Sequence, residues 1–543
     1  VKRVLMLAAE NGSITGGKVG GMADVIRDLP QALKGQEVLA DVIMPSYGYL
    51  AASAGAHWVK EISVPFAGGE YRVGLYLSDH PDVAGVKLYF LAHPCFVSSD
   101  SGTQKIYSSG CADRPFAEDA SKFALFCQSV AVALVEQAIP LPDLMHLHDW
   151  HSGLFALLRA YVPKFSILKS IPCVFTIHNL ALQGIRPLCG DPSSLEAWYP
   201  ELVAQLDLSQ RALIIDPRYP NCVNPMRVGI NLCDRVHLVS PSYVDEVLLP
   251  SDYEAGFFGG EGLEADLICK RDEQALVGIL NGCFYSAEFA ELNVGDTDVY
   301  SHNRLKYEHT FTQIESTLVS WQGGRETVSS WDQVALTRLN ARWRDLANNI
   351  MPSCLLTSVG RLTDQKMLIL RQKINNETVL EIMLKRFRAL EPNGLFVLLG
   401  SGDSEIAREF LAIAVNHSHF IFLNGYHEQV SEFLYKAGDL FIMPSSFEPC
   451  GISQLLSMRE GQLCLVHGIG GLKDTVINNE TGYVFNGDTL VAQGEDFLSR
   501  FSVAISEKGT DKWQQMQSLA KAQRFDWSSS ARDYVRQLYQ FYR

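Results

Sequence analysis

The chain has 543 residues, more than one ordinary hydrophobic core holds, so two large domains are expected. Its composition, 47% hydrophobic and 20% charged, is that of a soluble globular enzyme. A net charge of −15, from 46 basic and 61 acidic residues, disfavours nucleic acid or an anionic membrane surface as the main partner, so an anionic ligand would need specific Lys or Arg residues.

The first strand is expected at Val4–Ala8, and the residues before it are too few and too polar for a signal peptide. A glycine-rich turn, Gly12 to Gly21, leads into an amphipathic helix on Met22, Val25, Ile26, Leu29 and Leu33. Strands follow at Val38–Met44 and Val86–Leu91, then a long helix at Ala117–Gln137. Within that helix the apolar run Phe123 to Val135 contains Gln128 and Ser129, which argues for a buried helix and against a membrane span. Short buried strands are expected at Leu144–Leu147, Cys173–Ile177 and Val236–Val239. The pattern restarts at Leu355–Val359, Leu395–Leu399, Phe420–Leu423, Leu440–Met443 and Cys464–Val466. Strands alternating with helices predict an α/β fold of two doubly wound parallel sheets. The polar stretch from about 296 to 349 has no strand period and is expected to be a helical or loop insertion. Twelve cysteines without a Cys-x-x-Cys or a zinc spacing predict a reduced, cytosol-like compartment.

Ligands of open parallel sheets bind beyond the carboxyl ends of the strands, where the unusual polar residues of this chain gather. Glu448 falls in a strand-to-helix turn, a better place to show a carboxylate to a ligand than to bury one, although an acid favoured by the helix dipole would look the same. Gly12-x4-Gly17-Lys18 nearly matches a P-loop, but Val19 stands where the magnesium-binding hydroxyl belongs. Lys18-Val19-Gly20-Gly21 opening a helix fits anion binding instead. Arg361 and Lys366 follow another strand and could hold a diphosphate by charge-assisted bonds. His146, His148, Asp149 and His151 suggest a metal cluster, yet no matching carboxylate motif completes it; strand-end hydrogen bonding or polar substrate contact are the other readings. His178 and Asn179 end a further strand in an open turn.

In this order the motifs resemble the bacterial glycogen synthase and plant starch synthase family, glycosyltransferase family 5. They include Lys18-Val19-Gly20-Gly21-Met22-Ala23-Asp24, His148-Asp149-Trp150-His151, Thr176-Ile177-His178-Asn179, Ile279-Leu280-Asn281-Gly282, Arg361-Leu362-Thr363-Asp364-Gln365-Lys366, Phe447-Glu448-Pro449-Cys450-Gly451 and Gly470-Gly471-Leu472-Lys473. The resemblance spans nearly the whole chain.

It implies a GT-B fold: two Rossmann-like domains, 1–276 on the acceptor side and 277–522 on the donor side, facing a deep cleft. A C-terminal helix, 523–543, would cross back to the first domain. It implies retaining transfer of glucose from ADP-glucose to the non-reducing end of an α-1,4-glucan, in the cytoplasm of a bacterium or, for a processed plant enzyme, in the plastid stroma. Neither a cofactor nor a metal is implied. Arg361 and Lys366 would neutralise the leaving diphosphate, helped by backbone N–H groups near Gly20 and Gly471, with Lys18 beside the phosphates or sugar. Glu448 would bind donor-sugar hydroxyls, assisted by backbone groups of Cys450 and Gly451. His178 would contact the sugar with Asp149 nearby, and Tyr426 would stack on the adenine with Asp24 close to the nucleotide. Asn281, Gly21, Gly470 and Leu472 complete the implied binding set. The chain departs from the family pattern at Phe284, Met367, Ser446 and His467. A glucan-binding or regulatory relative with weak or no turnover, and a GT-B transferase with another donor or acceptor, stay open as alternatives.

Overall fold

The computed structural model describes residues 1–98, 105–108, 114, 116–285, 299–325 and 327–541. The chain divides into two compact units: Val1–Ser251 with Phe258–Phe284 and Asp526–Arg543, and Asp252–Phe257 with Tyr285–Phe525. The division therefore falls at Phe284/Tyr285, past the expected 276/277, because the segment after the last strand of the first unit stays bonded within that unit. There Ser530 Oγ donates to the Leu280 carbonyl at 2.7 Å and Cys283 bridges Asp526.

The first unit is built on β1 (Lys2–Leu7), β2 (Val38–Pro45), β3 (His57–Phe66), β4 (Gly69–Asp79), β5 (Lys87–Ala92), β6 (Leu144–His148) and β7 (Cys173–Ile177). After a short pair, β8 (Arg186–Pro187) and β9 (Cys222–Val223), come β10 (Arg235–Leu238) and β11 (Leu276–Gly278). Nine of these form one sheet in the order β11-β10-β7-β6-β1-β2-β5-β4-β3. It is parallel except for the β3–β4 hairpin at one edge. The second unit holds β12 (Leu355–Val359), a small pair β13 (Lys373–Ile374) and β14 (Glu377–Thr378), then β15 (Leu395–Leu399), β16 (Phe420–Leu423), β17 (Leu440–Met443), β18 (Leu463–His467) and β19 (Gly482–Phe485). Its six-stranded sheet runs β16-β15-β12-β17-β18-β19 and is parallel throughout. Apart from the edge strands β11 and β19, which were not expected, the parallel strands are buried on two faces and are near-continuous apolar runs, which is why they were legible. The hairpin β3–β4 was not: it is half-exposed and mixes Lys60, Glu61 and Arg72 into the alternation.

Each sheet reverses its winding once. In the first, β1 lies between β2 and β6; in the second, β12 lies between β15 and β17. Crevices in such sheets open at these switch points.

The insertion is two helices, Val299–Gly323 and Ser330–Ala347. Tyr307, Phe311, Ile314 and Leu318 make a helical stripe, buried with Leu395, Val397 and Leu399 of β15 and Ile421 of β16. This polar-looking segment therefore covers one face of the second sheet. Positions 296–298, the expected start of the insertion, and Tyr542, near the expected end of the last helix, lie outside the described residues. The C-terminal segment forms the helix Trp527–Asp533 and a π turn over Tyr534–Leu538, with Trp527, Tyr534 and Tyr539 buried in the first unit's core.

Candidate active site

In the second unit, β12 and β17 are neighbours with Leu356 opposite Leu440 and Thr357 opposite Phe441. The two loops that leave their carboxyl ends therefore emerge side by side. Lys366, in the first turn of the helix Asp364–Arg371, donates to Glu448 Oε2 in an ion pair. Ser445 Oγ donates to the same oxygen at 3.0 Å. Glu448 is only 6% exposed, against the expectation of an open carboxylate. A carboxylate can be buried there because a cation and a hydroxyl partner it.

The loop bearing Glu448 is held on three sides. Ser446 N–H donates to the Gln365 carbonyl at 2.8 Å, and Gln365 Nε2 donates to the Phe447 carbonyl at 3.2 Å. His467 Nδ1 lies 3.0 Å from the Ser445 carbonyl, which can only accept, so Nδ1 carries the proton. Its ring stacks on Phe485 with centroids 4.8 Å apart. Burial holds this histidine down near a pKa of about 4, so it is a neutral strut. On the third side Gly471 N–H donates to the Glu448 carbonyl at 3.0 Å. A Cβ on Gly471 would meet the Cys450 carbonyl oxygen at 2.2 Å, so only glycine lets the helix Gly470–Thr475 approach this closely. Cys450 and Leu472 are buried, and the Leu472 N–H donates to the Ile469 carbonyl at 3.0 Å. Arg361 is exposed at the end of β12, and Tyr426, 51% exposed, follows β16. Met367, one of the departures from the family pattern, fills the core at 2% exposure.

In the first unit, the glycine turn leaves β1 at its switch point. The sequence reading missed Glu10, which dominates the turn. Its Oε2 accepts from Val19 N–H at 2.9 Å and Gly20 N–H at 2.6 Å, and its Oε1 accepts from the Tyr107 hydroxyl at 2.7 Å. Of the backbone N–H groups near Gly20 and Gly471 expected to help neutralise a diphosphate, those of Gly20 and Gly471 themselves are engaged by Glu10 and by the Glu448 carbonyl. A strand-end carboxylate was the signal that singled out Glu448, and Glu10 carries the same signal. Lys18 pairs with Asp24 at 2.7 Å, and Arg27 reaches the same carboxylate at 3.2 Å. Gly21 opens the helix Gly21–Lys34. Asn281 is buried beyond β11, and its Oδ1 has no partner among the described residues.

Asp149 begins the helix Asp149–Tyr161 with a left-handed φ of 52°. Its Oδ1 accepts from His178 N–H at 2.7 Å, which fixes the turn after β7. Burial pushes this carboxyl up to about 8, against the pull of the His178 and Asn179 backbone donors. Folded protein then keeps a proton that the unfolded chain releases above about pH 4, so this group's contribution to stability falls as pH rises towards about 8. Buried neutral histidines act with the opposite sign below about pH 6.5. The informative comparison therefore lies above that pH: the melting temperature of Asp149→Asn should decline less between about pH 6.5 and 8 than that of the wild type.

His146 does not stand ready for a metal. His237 Nε2 faces the Ile279 carbonyl at 3.2 Å and so carries the proton. Thr176 Oγ1 then donates to His237 Nδ1 at 2.9 Å and accepts from His146 Nε2 at 2.7 Å, which leaves His146 Nδ1 to accept from the Tyr539 hydroxyl at 2.9 Å. This directed chain ties β6, β7, β10 and the C-terminal segment together. Among the described residues no group of three or more His, Cys, Asp or Glu side chains could hold a metal ion, and no helix is long and apolar enough to cross a membrane.

Two doubly wound sheets, each with polar residues past the strand ends at a switch point, are the architecture of GT-B glycosyltransferases. Residues 3–268 match the starch synthase catalytic domain, and residues 357–498 match glycosyl transferases group 1. The chain is 31% identical to the glycogen synthase of Bacillus licheniformis, over 96% of this chain and 94% of that protein. It is 28% identical to the glycogen synthase of Francisella tularensis subsp. holarctica, over 97% and 96%. The solved catalytic domain of starch synthase IV from Arabidopsis thaliana, bound to ADP and acarbose, superposes with a TM-score of 0.73 at 25% identity, covering 99% of this chain and 98% of that one. The chain belongs to the glycogen/starch synthase family and is a glucosyltransferase of that type.

Proposed function

We propose that this enzyme transfers glucose from ADP-glucose to the non-reducing end of an α-1,4-glucan with retention at C1. The observation that carries the reading is the pair of half-buried Lys366 with buried Glu448 at the switch point of the second sheet. It is supported by full-length likeness to glycogen synthases and to a starch synthase bound to ADP and acarbose. An ammonium has three donors; one on Glu448 leaves two for diphosphate oxygens. Lys366 would then join the sugar-binding carboxylate to the leaving group. Arg361 adds a second cation for the diphosphate, and Lys18 a third beside the phosphates or sugar. Tyr426 offers an exposed ring for the adenine, with Asp24 near the nucleotide.

The bond from C1 to the diphosphate oxygen breaks as the acceptor hydroxyl oxygen bonds to C1 from the same face. The hydroxyl proton passes to the departing diphosphate. Glu448 stabilises the oxocarbenium-like charge that develops meanwhile. These cations supply the charge that the step requires, so activity should survive a chelator. The bacterial relatives support a cytoplasmic location.

Labelled glucose supplied as ADP-glucose, and separately as UDP-glucose, should test this with glycogen and maltooligosaccharides as acceptors. Incorporation from ADP-glucose, undiminished in EDTA, is expected. Incorporation from neither donor by folded protein would overturn the reading; incorporation from UDP-glucose alone would overturn the donor.

A further inference from the structure

His148 ends β6 directly opposite Thr176 of β7, and His178 lies two residues further along. This register brings the two imidazoles together edge to edge: His148 Nδ1 is 2.9 Å from His178 Nε2, with the ring planes within 22° of each other and 5.2 Å between centroids. The pair shares one proton, and two tautomeric arrangements are available. In the first, His148 Nδ1–H donates to a bare His178 Nε2. In the second, His178 Nε2–H donates to a bare His148 Nδ1.

The other nitrogen of His148 separates them. His148 is fully buried, and its Nε2 has no partner among the described residues. The second arrangement would put a proton on that nitrogen and bury an N–H without an acceptor, which is unfavourable. The first leaves only a bare lone pair there, and a buried acceptor without a partner is better tolerated than a buried N–H. Protonating both rings is no escape, because burial lowers both histidines, His178 to about 3.

We infer that His148 is a positioning residue that sets the tautomer of His178, so that His178 turns a protonated Nδ1 outward as a hydrogen-bond donor. His178 is partly exposed, and its Nδ1 has no protein partner among the described residues. The inference rests on the reading that His178 faces the donor sugar. There it supplies an N–H to a substrate oxygen. A nitrogen that already carries its proton cannot take another from the acceptor hydroxyl, so His178 is not the general base. This agrees with delivery of that proton to the departing diphosphate.

The tautomer can be read without any substrate. Two-bond 1H–15N spectra of the full-length protein carrying 15N-histidine, with the His178 signals identified by their loss in His178→Gln, should show His178 with Nδ1 protonated and Nε2 bare. The reverse pattern in the wild type would overturn the inference, whatever the protein's activity. Kinetics give the second readout. His148→Phe keeps an aromatic ring but loses the donor, whereas the side-chain amide of His148→Asn can stand in for Nδ1–H. His148→Phe should lose about tenfold or more in kcat with little change in KM for the nucleotide sugar, and His148→Asn should recover most of it. Equal losses in two variants that melt alike would also overturn it. A wild type that transfers no glucose but shows the expected tautomer would instead refute the assigned reaction and leave the pairing standing.

Discussion

Glu448→Gln is expected to lower kcat by about 10²- to 10³-fold while the protein stays folded. The amide keeps the shape of the carboxylate and can still accept from Ser445 Oγ, which donates at 3.0 Å in the wild type. It removes the negative charge that would stabilise the oxocarbenium-like state. KM for ADP-glucose should change much less than kcat, because the charge matters most where positive charge develops. Steady-state glucose incorporation measures both. A kcat within a fewfold of wild type would remove Glu448 from the chemistry and reduce it to a partner for Lys366.

Lys366→Ala should fail in two ways at once. Glu448 keeps its burial, at 6% exposure, but loses its cation, and breaking such a pair costs about 3 kcal/mol or more. The remaining Ser445 hydroxyl keeps the loss towards the low end of that range. The leaving diphosphate also loses a cation, which should cost a further ~10²-fold in turnover. Lys366→Ala combined with Glu448→Gln separates the effects: stability should largely return, because no unpaired carboxylate remains, while turnover stays low. Thermal melts and incorporation assays on the three variants read the two effects independently. A double variant as unstable as Lys366→Ala would show that the lysine stabilises the fold through something other than this pair.

Three of the four departures from the family pattern find structural roles that leave this pair intact. Met367, next to Lys366 on the same helix, packs into the core. Ser446 and His467 brace the Glu448 loop through the Gln365 carbonyl and the Ser445 carbonyl. Phe284, 38% exposed, takes part in neither.

The buried parallel strands and the polar residues just past their ends were legible in the chain itself. A strand covered on both faces must be a short apolar run, and backbone that leaves a sheet must turn through polar residues. Those are local constraints, written in consecutive positions. Glu448, Lys366, Asp149 and His178 could be singled out on that basis, and the ordered motifs were enough to indicate a family. Tertiary structure alone decided which of them meet. Lys366 and Glu448 are 82 residues apart, and they pair because β12 and β17 are neighbours. Strand order is set by how helices cover the whole sheet, which no single segment encodes. The same holds for Glu10, whose carboxylate takes the backbone N–H groups of a turn that looked open to an anion. His148 follows the rule as well: its proton is placed by a partner across the β6–β7 register and by the absence of any protein partner, among the described residues, for its other nitrogen. Residue types and their order along the chain were thus enough for the class of chemistry; which donor reaches which acceptor was settled by the packing of distant strands.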